Sequence, residues 1–109
     1  MNFTMLVGRL TKDPQKIEAN DKVLCRFTIA TNCNYTKDGE RVTQFNNIIV
    51  WGNKAENCLK YLTKGSLVSV LGEIQTRSYE VDGEKKYTME IVAKELDILS
   101  FPKKSIENN

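Results

Sequence analysis

A chain of 109 residues is one domain's worth of sequence, able to close a single core that buries roughly 60–70% of its unfolded surface, and too short for a two-domain enzyme. Hydrophobic residues make up 40% and charged residues 28%, with only 2 Pro and 6 Gly, which excludes a collagen-like or disordered chain. Sixteen basic residues against 14 acidic ones leave a net charge of +2, so attraction for a polyanion must come from where the charges sit rather than from their sum.

Residues 3–10 are apolar on both parities and predict a strand with both faces covered, ending at the turn Lys12-Asp13-Pro14. A short extended piece, Gln15 to Ala19, leads to the turn Asn20-Asp21. From Lys22 to Asn32, Val23, Cys25, Phe27 and Ile29 alternate with Lys22, Leu24, Arg26 and Thr28, the pattern of a half-buried strand. Asp38-Gly39, within the polar stretch Tyr35 to Val42, predicts a hairpin tip before the β-rich run Thr43 to Trp51. The period then changes. Ala55, Cys58, Leu59 and Leu62 lie at i, i+3, i+4 and i+7, predicting a helix with Asn53 as its cap and Lys64-Gly65 at its end. Alternation resumes over Ser66 to Tyr79, Val81-Asp82-Gly83-Glu84 turns the chain, and Lys85 to Ala93 returns as the last strand, extended by 96–99. Residues 1–100 therefore form the domain, and 101–109 a polar tail expected to be disordered.

Strands joined by turns give a largely antiparallel sheet. Three strands, a short helix and two strands predict an all-β fold: a five-stranded Greek-key barrel with the helix between strands three and four. That is the element order of the oligonucleotide/oligosaccharide-binding fold.

In the third strand Ile48 and Val50 already supply a core face, which leaves Phe45 and Trp51 on the opposite parity, roughly 20 Å apart at 3.3 Å per residue. In the fourth, Arg77 and Tyr79 oppose Val68, Val70 and Ile74, and Tyr35 is followed by Lys37 and Arg41. An aromatic ring offers a base a flat partner worth about 1–3 kcal/mol while a nearby cation meets the phosphate, a combination that suits single strands and not duplexes. Most strand aromatics are nevertheless core. Phe27 and Tyr87, in parity with aliphatic residues, are assigned there, Trp51 divides evenly between packing and stacking, and Phe3, Tyr61 and Phe101 carry no motif. Lys12, Lys16, Lys22, Lys85 and Lys86 read as solvated charges near turns, whereas Lys64, Arg77, Lys37 and Arg41 keep company that suits a phosphate.

Catalysis finds little support. The chain has no histidine, hence neither the commonest general base nor any Ser-His or Cys-His nucleophile. Cys25, Cys33 and Cys58 lack C-x-x-C spacing and read as small hydrophobes rather than disulfide partners or zinc ligands. Lys64-Gly65-Ser66 is not a phosphate-binding glycine loop, and the pairs Asp38/Glu40 and Asp82/Glu84 sit at separate hairpin tips, so no metal site or cofactor is expected. No apolar stretch reaches the roughly 18 residues that span a bilayer and no leader pattern opens the chain, which predicts a cytosolic protein with no membrane partner.

The chain resembles the bacterial-type single-stranded DNA-binding proteins over nearly all of residues 1–99. The matching text is Leu6-Val7-Gly8-Arg9-Leu10-Thr11-Lys12-Asp13-Pro14, Phe27-Thr28-Ile29-Ala30-Thr31, Ile48-Ile49-Val50-Trp51-Gly52, Ala55-Glu56, Tyr61-Leu62-Thr63-Lys64-Gly65-Ser66, Gly72 to Tyr79, and Tyr87-Thr88-Met89-Glu90-Ile91. The resemblance implies a non-enzymatic protein that coats single strands in replication, repair and recombination, usually as a homotetramer, with a dimer as the alternative. It places base-stacking aromatics at Tyr35, Phe45, Trp51 and Tyr79, and phosphate contacts at Lys64 and Arg77. Arg9, Lys37, Arg41 and Lys54 complete the candidate phosphate contacts, Lys54 lying beside Asn53, which replaces a basic residue often found there. Asn46 and Asn47 stand where relatives place other polar residues near subunit contacts. Members typically continue into a flexible linker and an acidic tip that recruits replication and repair enzymes. This chain stops at Asn109 with Lys103-Lys104 in its tail, so those partners stay open: the sequence is either a truncated piece or a short form, chromosomal or such as phages and mobile elements carry, and is expected in the bacterial cytoplasm. Three other readings compete: a primosome-type accessory protein docking partner proteins, a metal-dependent nuclease on the same barrel, and RNA in place of DNA, since stacking tolerates either sugar.

Overall fold

Three of the turn signals become two-residue hairpin loops. Asn20-Asp21, Asp38-Gly39 and Asp82-Gly83 all have positive φ, the signature of type I′ turns, and the flanking pairs Ala19 with Lys22, Lys37 with Glu40 and Val81 with Glu84 are in register. A computed structural model describes residues 1–102; the predicted tail lies, from Lys103 onward, outside the described residues. The elements are β1 (Thr4–Leu10), β2 (Gln15–Ala19), β3 (Lys22–Lys37), β4 (Glu40–Trp51), α1 (Asn53–Tyr61), β5 (Leu67–Val81) and β6 (Glu84–Ser100).

The long hairpins β3–β4 and β5–β6 are the two halves of the structure. β1 joins them, pairing antiparallel with β5 from Thr4 to Arg9 and with β3 at Arg9 and Leu10. A short parallel pairing of β4 with β6, Ile48 with Ile91 and Ile49 with Val92, completes the circuit β1-β5-β6-β4-β3, while β2 hangs on the outside of β3. This is the five-stranded barrel predicted from element order. Its core is the inward parity of each strand, Leu10, Cys25, Phe27, Ile29, Ile48, Val50, Val68, Val70 and Ile91, closed by Ala55 and Cys58 of α1 and by Leu62 just after it. Cys25 and Cys58 are free thiols in that core; hydrogen bonding with Cys58 and burial push the Cys25 thiol well above its ordinary range.

Four expectations are corrected. Tyr87 is exposed, not core, because Ile91 is the last residue of its parity inside the barrel. β1 ends its pairing at Thr4 opposite Gly72, with only the Asn2 side chain reaching on to the Ile74 backbone, so Ile74, Met89 and Tyr87 stand exposed where β5–β6 runs on as an arm. β1 is covered on one face only: Leu6, Gly8 and Leu10 turn inward, while Met5 and Val7 stand exposed. The helix is capped by Gly52 without a side-chain hydrogen bond, and Asn53 is its first residue rather than its cap. Finally, the two strands expected to stop at Asn32 and to begin at Thr43 run on to either side of the Asp38-Gly39 turn, so that most of 35–42 belongs to β3 and β4.

Candidate nucleic-acid interface

Residues facing each other across paired strands share a sheet face, so the registers build the surface row by row. Leu24 lies opposite Trp51, Arg26 opposite Ile49, Thr28 opposite Asn47, and Ala30 opposite Phe45. Arg9 of β1 extends the last row, being paired with Ala30 on its other side. Ile49 adjoins Val92 of β6, and from there the same face continues through Glu90 beside Gln75, Thr88 beside Arg77, and Lys86 beside Tyr79. The outward parities of β3, β4, β6 and β5 are thus one continuous surface outside the barrel.

Three of the aromatics singled out by the sequence stand on it. Phe45, Trp51 and Tyr79 are 66%, 43% and 48% exposed, whereas their neighbours of opposite parity, Ile48 and Val50, are at most 1% exposed. Phe45 stands in the row of Ala30 and Arg9, Trp51 three rows away beside an open cleft lined by Val23, Gly52, Asn53 and Glu56, and Tyr79 on the β5–β6 arm. Tyr35 is 60% exposed and sits in an irregularity between Asn32 and Thr36, where extra residues in β3 break its alternation.

The basic residues are less evenly placed. Arg77 shares the face with Tyr79 and lies against Glu90, Nη2 to Oε2 3.1 Å. Arg9 donates from Nη1 to the Gly65 carbonyl at 2.9 Å, which puts it next to Lys64, whose backbone N–H donates to Asp13 at 2.8 Å. Arg41 shares Phe45's parity and donates to the Cys33 carbonyl at 3.3 Å, while Lys37 sits opposite Glu40 on the alternate parity. Lys54 stands apart: its ammonium donates to the Lys94 carbonyl, in the groove between α1 and β6. Within the face, Thr28 donates to Asn47 Oδ1 at 2.8 Å. Farther along it, the Lys94 ammonium hydrogen-bonded to Glu73 holds that carboxyl below its usual range. Among the described residues no cluster of three His, Cys, Asp or Glu side chains offers a metal site.

Two residues of the face escaped the sequence reading. Arg26 lies beside Ile49 in its centre, and its outward parity with Leu24 and Thr28 was the available signal. Lys86, read as a solvated turn charge, stands directly opposite Tyr79.

The profile described as Single-strand binding protein family matches residues 1–99. The chain belongs to the single-strand binding protein family. It is 45% identical to Single-stranded DNA-binding protein 2 of Clostridium acetobutylicum, over 99% of this chain and 84% of that protein. Single-stranded DNA-binding protein 1 of the same organism is 41% identical, over 97% of this chain and all of that one. Single-stranded DNA-binding protein 1 of Staphylococcus aureus is 45% identical, over 99% of this chain and 70% of that protein. Among solved structures, the Plasmodium falciparum complex of such a protein with single-stranded DNA superposes with a TM-score of 0.82 at 28% identity, covering 92% of this chain and 96% of that one.

Proposed function

We infer that this protein of the single-strand binding family binds single-stranded DNA without regard to sequence, protecting it during replication, recombination and repair. The observation that carries the mode of binding is one sheet face on which Phe45 and Trp51 stand exposed and which also carries two arginines, Arg26 and Arg77. Bases stack on Phe45, Trp51, Tyr79 and Tyr35; Arg77, Arg26, Arg9, Lys64, Arg41 and Lys37 meet phosphates as the strand passes from the Trp51 end towards the tips of the two long hairpins. Lys54 joins them only by leaving the Lys94 carbonyl. Stacking selects unpaired bases and the cations add salt-sensitive affinity.

Trp51 is the only tryptophan, so its fluorescence reports on the face directly. Titration with oligothymidine at two salt concentrations is expected to quench it strongly, a matched duplex to leave it nearly unchanged, and added salt to weaken the single-strand response. Binding shown independently with no change in Trp51 fluorescence would remove Trp51 from the interface, and equal response to duplex would overturn the stacking mode.

A homo-oligomer accompanies this function, a tetramer before a dimer. Its support is the outer edge of β1, unpaired from Thr4 to Val7 among the described residues, beside the exposed Phe3, Met5 and Val7. Sedimentation equilibrium tests it, and a monomer at micromolar concentration refutes it. The site of action is the cytoplasm; among the described residues no helix is long and apolar enough to cross a membrane.

A further inference from the structure

The centre of the face contains an acid. Glu90 of β6 projects outward between strands, its side chain only 10% exposed, with Arg77 of β5 at 3.1 Å and Arg26 of β3 at 4.0 Å. The two arginine side chains are 62% and 34% exposed, so the carboxylate lies beneath and between guanidiniums that reach solvent. A surface meant only to attract phosphate has no use for a carboxylate here, because it cancels one of the two charges that phosphate would meet. A carboxylate so covered also needs its cations, since an unpaired buried charge is costly.

We propose that Glu90 is a positioning residue that sets selectivity: by holding Arg26 and Arg77 around one carboxylate it withholds one unit of positive charge from any polyanion, so that exposed bases rather than phosphate density decide what binds. This rests on the reading of the outer face as the single-strand site. Duplex DNA and heparin offer dense negative charge and no free base faces, and they depend wholly on the charge Glu90 cancels. A single strand gains the stacking on Phe45 and Trp51 in addition and is less affected by its loss.

The test is Glu90→Gln, which keeps an oxygen to accept from Arg77 and removes the charge. Against oligothymidine the log–log salt dependence is expected to steepen by about 0.7, equivalent to about 2.5-fold more affinity lost between 50 and 200 mM salt. Binding of a duplex or of heparin at low salt is expected to rise several-fold more than binding of the single strand. A second variant, Arg26→Gln with Glu90→Gln, restores the original net charge of the trio and is expected to return the wild-type slope, which a role confined to folding does not predict. An unchanged slope and unchanged selectivity in Glu90→Gln, or single-strand binding weakened equally at every salt concentration with a lowered melting temperature, overturns the proposal. If Arg26→Gln and Arg77→Gln both leave the oligothymidine slope where it was, the face itself is not the site, and the reading beneath the proposal falls with it.

Discussion

Replacing Phe45 by alanine separates binding from folding more cleanly than any other change on the face. The ring is 66% exposed, so about a third of the side chain is packed in the free protein. Full burial of a phenylalanine is worth roughly 1.5–3 kcal/mol, which puts the folding cost of truncation at about 1 kcal/mol or less. If a base stacks on it, binding loses about 1–3 kcal/mol, or about 5- to 150-fold in Kd. Trp51, six positions along the same strand, remains as the fluorescent reporter. Titrations with oligothymidine at several salt concentrations should give two parallel lines of log K against log salt, the variant displaced downward, because stacking releases no counterions. Ile48→Ala is the counter-example: its side chain is fully buried and should cost about 2–5 kcal/mol of stability, with binding affected only through the unfolded fraction. A folded Phe45→Ala protein that binds within twofold of the parent, or one whose line differs in slope rather than height, refutes the stacking role of Phe45.

Trp51→Ala should weaken binding by a similar 1–3 kcal/mol and also lower the melting temperature, because more than half of that side chain is already packed; the measurement is thermal denaturation beside an anisotropy titration with labelled oligothymidine. Arg77→Ala should flatten the salt dependence by about 0.7 in log–log slope, the increment for one single-strand phosphate, and an unchanged slope would place Arg77 outside the path of the strand. Gly72→Ala would put a methyl group onto the Val92 carbonyl of the adjacent strand, with no flexible side chain to yield, and should cost about 1–3 kcal/mol in urea unfolding. Full stability in that variant would mean that β5 and β6 can part at this point without penalty.

Local signals were enough for much of this structure. The two-residue turns, the helix stripe of Ala55, Cys58 and Leu62, and the outward parity of Phe45 and Trp51 are each written within a few consecutive residues. What they do not contain is where the barrel stops. Tyr87 and Ile91 have identical parity, and only the end of β1 opposite Gly72 leaves one in solvent and the other in the core. The exposed side of β1 was hidden for the same reason, since apolar residues on both parities do not reveal which face finds a partner in the same chain. The Glu90 trio is further from reach, because it joins β3, β6 and β5 through a pairing of β4 with β6 whose partners lie 43 positions apart. Tyr35 escaped parity because irregular pairing in β3 suspends the alternation around it.

The circuit of strands has two narrow seams, β4 against β6 and β1 against β3, each two residue pairs long, while the hairpins on either side are paired along most of their length. The shell is therefore two leaves laid edge to edge, β2-β3-β4 and β1-β5-β6, and the outer face straddles the first join. Phe45, Trp51 and Arg26 belong to one leaf; Arg77, Tyr79 and Glu90 belong to the other. A polynucleotide bound across them, as proposed above, would work as a clasp, and whatever free energy it gained by touching both leaves would be added to the work of prising them apart. The ion pair from Arg26 to Glu90 is a small clasp of the same kind, already fastened before any ligand arrives.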